Sequence, residues 1–506
     1  MDSRFINVVL LGSAFMVLFT AFQATGMISQ SVLEGVKNET VNGTSFHGSG
    51  YISMAILYSF FSLTNVFAPA IVAILGPAVS MFFGGTTYFL YVVSFIYPMT
   101  WSYYVISILI GIGAAILWTA QGVYLTKNSD DMTVSRNSGI FWALFQVSLL
   151  SGNIYVFVAL KTQIIDRATR IPLFAVFSIV SGAGLVLFIF IIWRSYVEKR
   201  RDNIPPIEEP KKSTAADIVQ TLKVAVRLLK TRNMLLLLIP FSYTGLSNTL
   251  FTGVFATCIG HYVKYGDTRK RLIGLHGLLV GCGEILGGGL FGFITKPKTA
   301  SQKALMILVG CKFNYEYRNN DFILLLGGGL FGFITKPKTA SQKALMILVG
   351  CILHMIYFYS VFVNFPFDSA QNESTEKPFF DFSATTSQAI TFIGSFIVGL
   401  GDSSMNTQLM NILASRYKQT TASAFAIFKL VQSLMAAVAF FYAGALQIQW
   451  QILIVVIFLF FSTLAFFAVL FDEENTEGTA PLVTNISTEE DDDDTGNRNY
   501  SSLVES

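Results

Sequence analysis

The chain reads as an all-α polytopic membrane protein with twelve transmembrane helices in two six-helix bundles. Three observations predict this. Of its 506 residues, 53% are hydrophobic and only 13% charged, and the mean hydropathy is +0.57; that is too little charge to cover a soluble body of this size. The apolar runs reach the roughly 18 residues needed to cross about 30 Å of hydrocarbon as helices, and they do not fit the shorter alternating strands of a membrane barrel. The runs also fall into two sets of six that echo each other.

In the first set, apolar blocks lie near residues 6–27, 51–75, 78–97, 102–125, 137–160 and 171–193. Only Met1 to Arg4 precede the first block, which lacks a small-residue cleavage site, so an uncleaved first helix is expected. Residues 1–193 form the first bundle. The linker, 194–233, opens with RSYVEKRRDNIPPIEEPKKS and continues with ADIVQTLKVAVRLLK, where apolar residues recur at helical spacing between Lys and Arg, as in a surface helix.

The second set lies near 234–258, 272–294, 344–363, 388–413, 421–445 and 450–471, giving a second bundle over 234–471. The remaining 472–506, with TEEDDDDTGNRNYSSLVES, is acidic and polar and is expected to be disordered. Within it, Tyr500 and Leu503 match the tyrosine-plus-bulky-apolar pattern of sorting signals, a frequent tetrapeptide.

Ten Lys and Arg between Arg194 and Arg232 place the linker in the cytosol together with both termini. One loop disagrees, because His261 to Arg271 puts four basic residues on the outer side. Sequons at Asn38, Asn42 and Asn372 fall in outer loops, whereas Asn485 and Asn499 lie in the cytosolic tail and should stay unmodified. The expected location is a multi-pass membrane protein, in the plasma membrane or an endolysosomal one.

The stretch LGGGLFGFITKPKTASQKALMILVGC occurs twice without a change, at 286–311 and 326–351. Structural repeats drift because each copy packs against different neighbours, so identity over the whole stretch points to a local duplication or a gene-model error in the loop between the eighth and ninth spans. Removing forty residues joins VGC to ILHMIYFYSVFV as one full-length helix. Sequencing the transcript across this region decides between the two.

The weaker repeat concerns function. Phe19-Thr20-Ala21-Phe22 pairs with Tyr243-Thr244-Gly245-Leu246, Trp118-Thr119-Ala120-Gln121 with Met405-Asn406-Thr407-Gln408, and Ala143-Leu144-Phe145-Gln146 with Ala426-Ile427-Phe428-Lys429, in the same order. Parallel repeats around a basic loop are what a two-bundle transporter with a midplane cavity shows.

Ionisable side chains at membrane depth cost about 2.5–3.5 kcal/mol on insertion scales, so each needs a partner or a water-filled cavity. Glu284, Asp402 and Lys429 stand out. Either carboxyl could carry a proton through a transport cycle; alternatively, Asp402 and Lys429 form a structural pair. The amides Gln23, Asn65, Gln121, Gln146, Asn248, Asn406 and Gln408 either line a cavity for a polar solute or tie helices together. Gly281-Cys282-Gly283 has no preceding strand and reads as close helix packing rather than a phosphate loop. Trp118 and Trp142 are expected to fill core, and His354 to pack at the periphery.

Four cysteines give no disulfide framework, four histidines no metal spacing, and no nucleophile with a base can be assembled. An enzyme, a cofactor, a metal and nucleic-acid binding are therefore not expected. The expected partners are the lipid bilayer, a small-molecule solute, protons, and in one reading another membrane protein.

The runs FTAFQATGMISQSV, FHGSGYISMAILYSFFSLTNVFAPAIVAILGP, LWTAQGVYLT, SRNSGIFWALFQ, YTGL, GEILGG, GLGDSSMNTQL and AFAIFKLVQS resemble the uncoordinated-93-like family of the major facilitator superfamily. The resemblance spans nearly the whole chain outside the insert and the tail, and it implies the twelve-helix facilitator fold. It leaves two activities open: secondary transport by alternating access, or a non-transporting chaperone or regulatory subunit for another membrane protein. One departure is the turn between the second and third spans, Gly76-Pro77-Ala78, which lacks the superfamily's acidic and basic residues.

Overall fold

The computed structural model describes residues 3–37, 40–41, 44–130, 133–162, 164–201, 223–293, 340–417 and 420–472. Helices occupy all twelve expected stretches. They are α1 (Ser3–Lys37), α2 (Gly50–Thr64), α3 (Ala68–Leu75), α4 (Pro77–Ser94), α5 (Thr100–Lys127), α6 (Val134–Ala159), α7 (Arg167–Arg201), α8 (Arg232–Thr249), α9 (Phe255–His261), α10 (Arg269–Phe293), α11 (Ala340–Asn364), α12 (Ala384–Arg416), α13 (Thr421–Ala443) and α14 (Ile448–Asp472). Among the described residues, nine helices are long and apolar enough to cross a membrane, ten if α2 and α3 make one bent span. The third and eighth expected spans are present as helices α4 and α10, which are not among those ten. A two-stranded hairpin, Thr40–Val41 with Thr44–Ser45, links α1 to α2. Residues 223–229 of the expected linker helix are helical.

Backbone chemistry explains the breaks. Pro69 sits in the first turn of α3, where a missing N–H costs nothing, and the axis turns by 70° between α2 and α3. Gly76 then takes φ +79°, with nothing within 4 Å of where a Cβ would stand; backbone conformation, not crowding, selects glycine there. Pro77 starts α4 directly after it. In the seventh expected span, a π-helical turn at Leu250–Val254 separates α8 from α9.

The helices pack in two groups. In the first, α1 lies against α4, α6 and α7, with α5 against α2 and α4; in the second, α10 and α11 lie against α12, and α8 against α13 and α14. The groups meet where α6 packs on α10 and α2 on α13, and where α1 touches α9 and α10. Glycines permit the closest approaches: a Cβ at Gly152 of α6 would press on the Thr20 carbonyl of α1, and one at Gly245 of α8 on the Gln432 carbonyl of α13.

The duplicated stretch contributes its first copy to the end of α10, residues 286–293, and its second to the start of α11, residues 340–351. The residues between lie outside the description, as do the tail with Tyr500 and Leu503 and the sequons Asn38, Asn42, Asn485 and Asn499.

Candidate functional site

The candidate site lies where α6, α10 and α12 converge. Glycine builds it. A Cβ at Gly283 of α10 would lie 2.8 Å from the Leu400 nitrogen, and one at Gly399 of α12 would press on the Val280 carbonyl and lie 3.1 Å from the Glu284 nitrogen. The two backbones therefore touch, and this sets Glu284 beside the start of the Asp402 turn. Gly281 packs on Leu149 and Leu150 of α6, so the Gly281-Cys282-Gly283 stretch is the packing element it was expected to be.

From α6, Gln146 Nε2 donates to Glu284 Oε2 at 2.5 Å, a bond between the two helix groups. Asp402 accepts from Asn406 Nδ2 at 2.8 Å, one helical turn further along α12. Glu284 and Asp402 lie between two such contacts, since a Cβ at Gly399 would be 3.1 Å from the Glu284 nitrogen and one at Gly287 2.8 Å from Ser403 Cβ, so the two carboxyls occupy adjoining turns of the touching helices. Four expected site residues, the carboxyls Glu284 and Asp402 and the amides Gln146 and Asn406, thus share one locality, and all are half-buried rather than sealed.

The other expected residues are distributed around it. Gln23 Nε2 donates to Ser148 Oγ at 2.6 Å, tying α1 to α6. Gln121 of α5 and Gln408 of α12, the pair matched by the internal repeat, are both buried, and Gln408 Nε2 reaches Met346 Sδ at 3.2 Å. Asn65 caps the end of α2 and Asn248 is half-buried on α8. Lys429 does not pair with Asp402: its Nζ donates to Gln432 Oε1 at 2.9 Å and stands 4.8 Å from the centre of the Phe428 ring. Gln432 Nε2 in turn reaches Thr244 Oγ1 on α8 at 3.2 Å. The ammonium is neutralised by no acid among the described residues; an amide acceptor and a ring face hold it instead.

Two expectations change. His354 is not peripheral: it is fully buried, its Nδ1 shares a hydrogen bond with the Tyr243 hydroxyl of α8, and its ring stands against Gly401 of α12, where a Cβ would be 2.9 Å from Cδ2. Gly401 immediately precedes Asp402, so the pair borders the carboxyl site. Trp118 packs in an aromatic cluster with Phe15, Phe19 and Phe145, but its stacking neighbour Trp142 is 43% exposed and does not fill core. Composition alone gave no sign that Tyr243 and His354 meet, since 111 residues separate them.

A family model described as "Ion channel regulatory protein UNC-93" matches residues 42–315 and 324–467, the break falling between the two copies of the duplicated stretch. The chain belongs to the UNC-93 family. It is 41% identical over 473 residues to the UNC93-like protein MFSD11 of Xenopus tropicalis, covering 92% of this chain and 96% of that protein. It is 23% identical to UNC93-like protein 3 of Arabidopsis thaliana, over 89% of this chain and 83% of that one. Among solved structures, this UNC-93 chain is similar to a POT family transporter in complex with 5-aminolevulinic acid, with TM-score 0.57, 11% identity and coverage of 92% and 96%. It is also similar to a mutant peptide transporter POT in complex with alafosfalin, with TM-score 0.55, 13% identity and coverage of 92% and 94%. At such identity the likeness concerns the fold: a multi-pass, facilitator-type helical membrane protein.

Proposed function

We propose that this UNC-93 family chain is a secondary transporter that moves a small polar or organic solute by alternating access, coupled to protons at Glu284 and Asp402. The observation that carries this is the bond from Gln146 to Glu284 across the two helix groups, with a second carboxyl on the adjoining turn. Intramembrane carboxyls are costly and mark ion or proton pathways by default. A proton carrier placed on the seam between the moving halves can feel which half it contacts, and so link its protonation to their rearrangement. Lys429, Gln432 and Thr244 supply a polar surface on the second half for the solute. We read the chain as a non-enzyme, consistent with relatives and fold neighbours named as regulatory proteins or transporters.

A second reading has support in the family model's own description as an ion channel regulatory protein. In that reading the chain escorts or regulates another membrane protein, and the carboxyl pair serves stability.

Uptake of a broad panel of labelled metabolites into proteoliposomes, with and without an inward proton gradient, tests the proposal. Gradient-driven uptake that disappears in Glu284→Gln or Asp402→Asn supports transport. If well-folded protein moves nothing across the panel, the escort reading is the better one and co-purifying partners become the object of the search.

A further inference from the structure

The four basic residues that violated the charge rule are accounted for by what they touch. Lys264 pairs with Asp381, and Arg271 stands 3.9 Å over the Phe157 ring of α6. Arg269 Nη2 meets Glu373 Oε1 at 2.7 Å and its Nε donates to the Gly260 carbonyl. Lys270, only 3% exposed, lies between two carboxylates, 3.7 Å from Glu34 Oε2 and 3.6 Å from Glu373 Oε1. Burying a cation as Lys270 is buried is costly, and neutralising acids offset that cost.

Those acids come from different parts of the molecule. Glu34 is in the last turn of α1, in the first half; His261 and Lys270 begin and end the α9–α10 corner, in the second; Glu373 lies in the loop between α11 and α12. His261 joins them most directly. One ring nitrogen meets Glu34 Oε2 at 2.7 Å and the other the Ser369 carbonyl at 2.9 Å, with the residue 1% exposed. Gln30 Nε2 donates to Glu34 Oε1 while its own oxygen accepts from the Gly50 nitrogen, and Tyr51 of α2 donates to the Ala370 carbonyl at 3.0 Å. All of these contacts sit at the end of the bundle opposite residues 3 and 472. At that other end, among the described residues, Arg194 binds Asn7 and Glu198 within the first half, and Arg416 binds Asp472 within the second.

We propose that Glu34, His261, Lys270 and Glu373 form a latch that closes this end of the molecule between its two halves, with the 365–380 loop as its strap. The inference deepens the alternating-access reading: the structure is then the state closed at the loop end, and the carboxyl site opens toward the end bearing the termini. The latch opens when the Glu34 contact across the halves is lost.

Cys258 reports on it. It is fully buried and lies one turn along α9 before His261, whose ring meets the Ser369 carbonyl of the strap. The experiment follows the labelling of Cys258 by a bulky polar maleimide in the full chain in nanodiscs, with Cys282, Cys311 and Cys351 replaced by alanine. Labelling of the parent is expected to be slow and to rise about tenfold in Glu34→Gln, which leaves Lys270 and His261 without their partner across the seam. Tyr51→Phe, which removes only the hydrogen bond from α2 in the first half to the Ala370 carbonyl of the strap, is expected to speed it as well. If Glu34→Gln fails to fold, Tyr51→Phe decides alone; unchanged labelling in the folded variants, or fast labelling of the parent, overturns the latch. The readout needs no solute and no gradient, so a chain that transports nothing but labels as expected keeps the latch and loses the transport reading.

Discussion

Gln146 on α6 and Glu284 on α10 meet through a 2.5 Å amide-to-carboxylate bond, although 138 residues separate them and each belongs to a different group of helices. A bond of this kind between halves breaks whenever α6 and α10 part. It therefore ties the state of one carboxyl to the relative position of the two bundles.

The Tyr243 and His354 pair is expected to act as a unit. Tyr243→Phe leaves a buried imidazole nitrogen without its partner, at a cost of about 1–3 kcal/mol. Thermal unfolding of the purified protein should show that loss, and the added substitution His354→Leu should cost less than the sum of the two single changes. Additive losses would mean that the contact carries no energy.

Close packing of α1 on α6 predicts a position-specific effect of a single methyl group. Gly152→Ala drives a Cβ into the Thr20 carbonyl, and backbone cannot rotate away as a side chain can, so about 1–3 kcal/mol of stability should be lost. Gly122→Ala on α5 meets nothing within 4 Å and should leave the unfolding temperature unchanged or slightly raised.

The strap loop should weaken in acid. Partial burial raises the Glu373 carboxyl, but the hydrogen bond from Arg269 and the charges of Lys270, Arg269 and His261 outweigh it and hold the group below its usual 4.5. A carboxyl with a depressed folded value contributes stability above its unfolded value and loses it as pH falls through the folded one. Wild type should therefore unfold at higher temperature than Glu373→Gln at pH 7, and the two curves should converge as pH drops below about 4.5. A gap that persists into strong acid would contradict the assignment.

Asn372 stands exposed in the same loop, beside Glu373. With this end of the bundle facing the lumen, Asn372→Gln should remove one glycosidase-sensitive step of gel mobility from protein made in eukaryotic cells. Asn485→Gln and Asn499→Gln should remove none. A glycan on either tail position would reverse the orientation.

Much of the fold was legible in the sequence because hydrocarbon imposes a length and a polarity on every crossing segment. The stretches the helices occupy followed from that, including the break at Gly76-Pro77, whereas the breaks inside the second and seventh stretches did not. Their packing was less legible. That Gly283 and Gly399 let α10 and α12 touch depends on which helix faces are opposed, and residue order does not contain this. Glu284 and Asp402 stood out one by one, because a charge in an apolar run is conspicuous; their nearness to each other was not. The expectation that Lys429 neutralises Asp402 failed for the same reason, as adjacent spans do not imply facing side chains. The latch left one trace in the sequence, the misplaced basic residues of the 261–271 loop, whose partners Glu34 and Glu373 lie about 230 residues before and 100 after them.

The most direct test of proton coupling is lumenal pH in proteoliposomes, followed with an entrapped dye as a transported solute is added outside. Wild type is expected to acidify the lumen on addition of solute, and Glu284→Gln to show no acidification while still exchanging labelled for unlabelled solute. Equal acidification in the two proteins, or solute uptake by wild type with no movement of protons, would contradict the account.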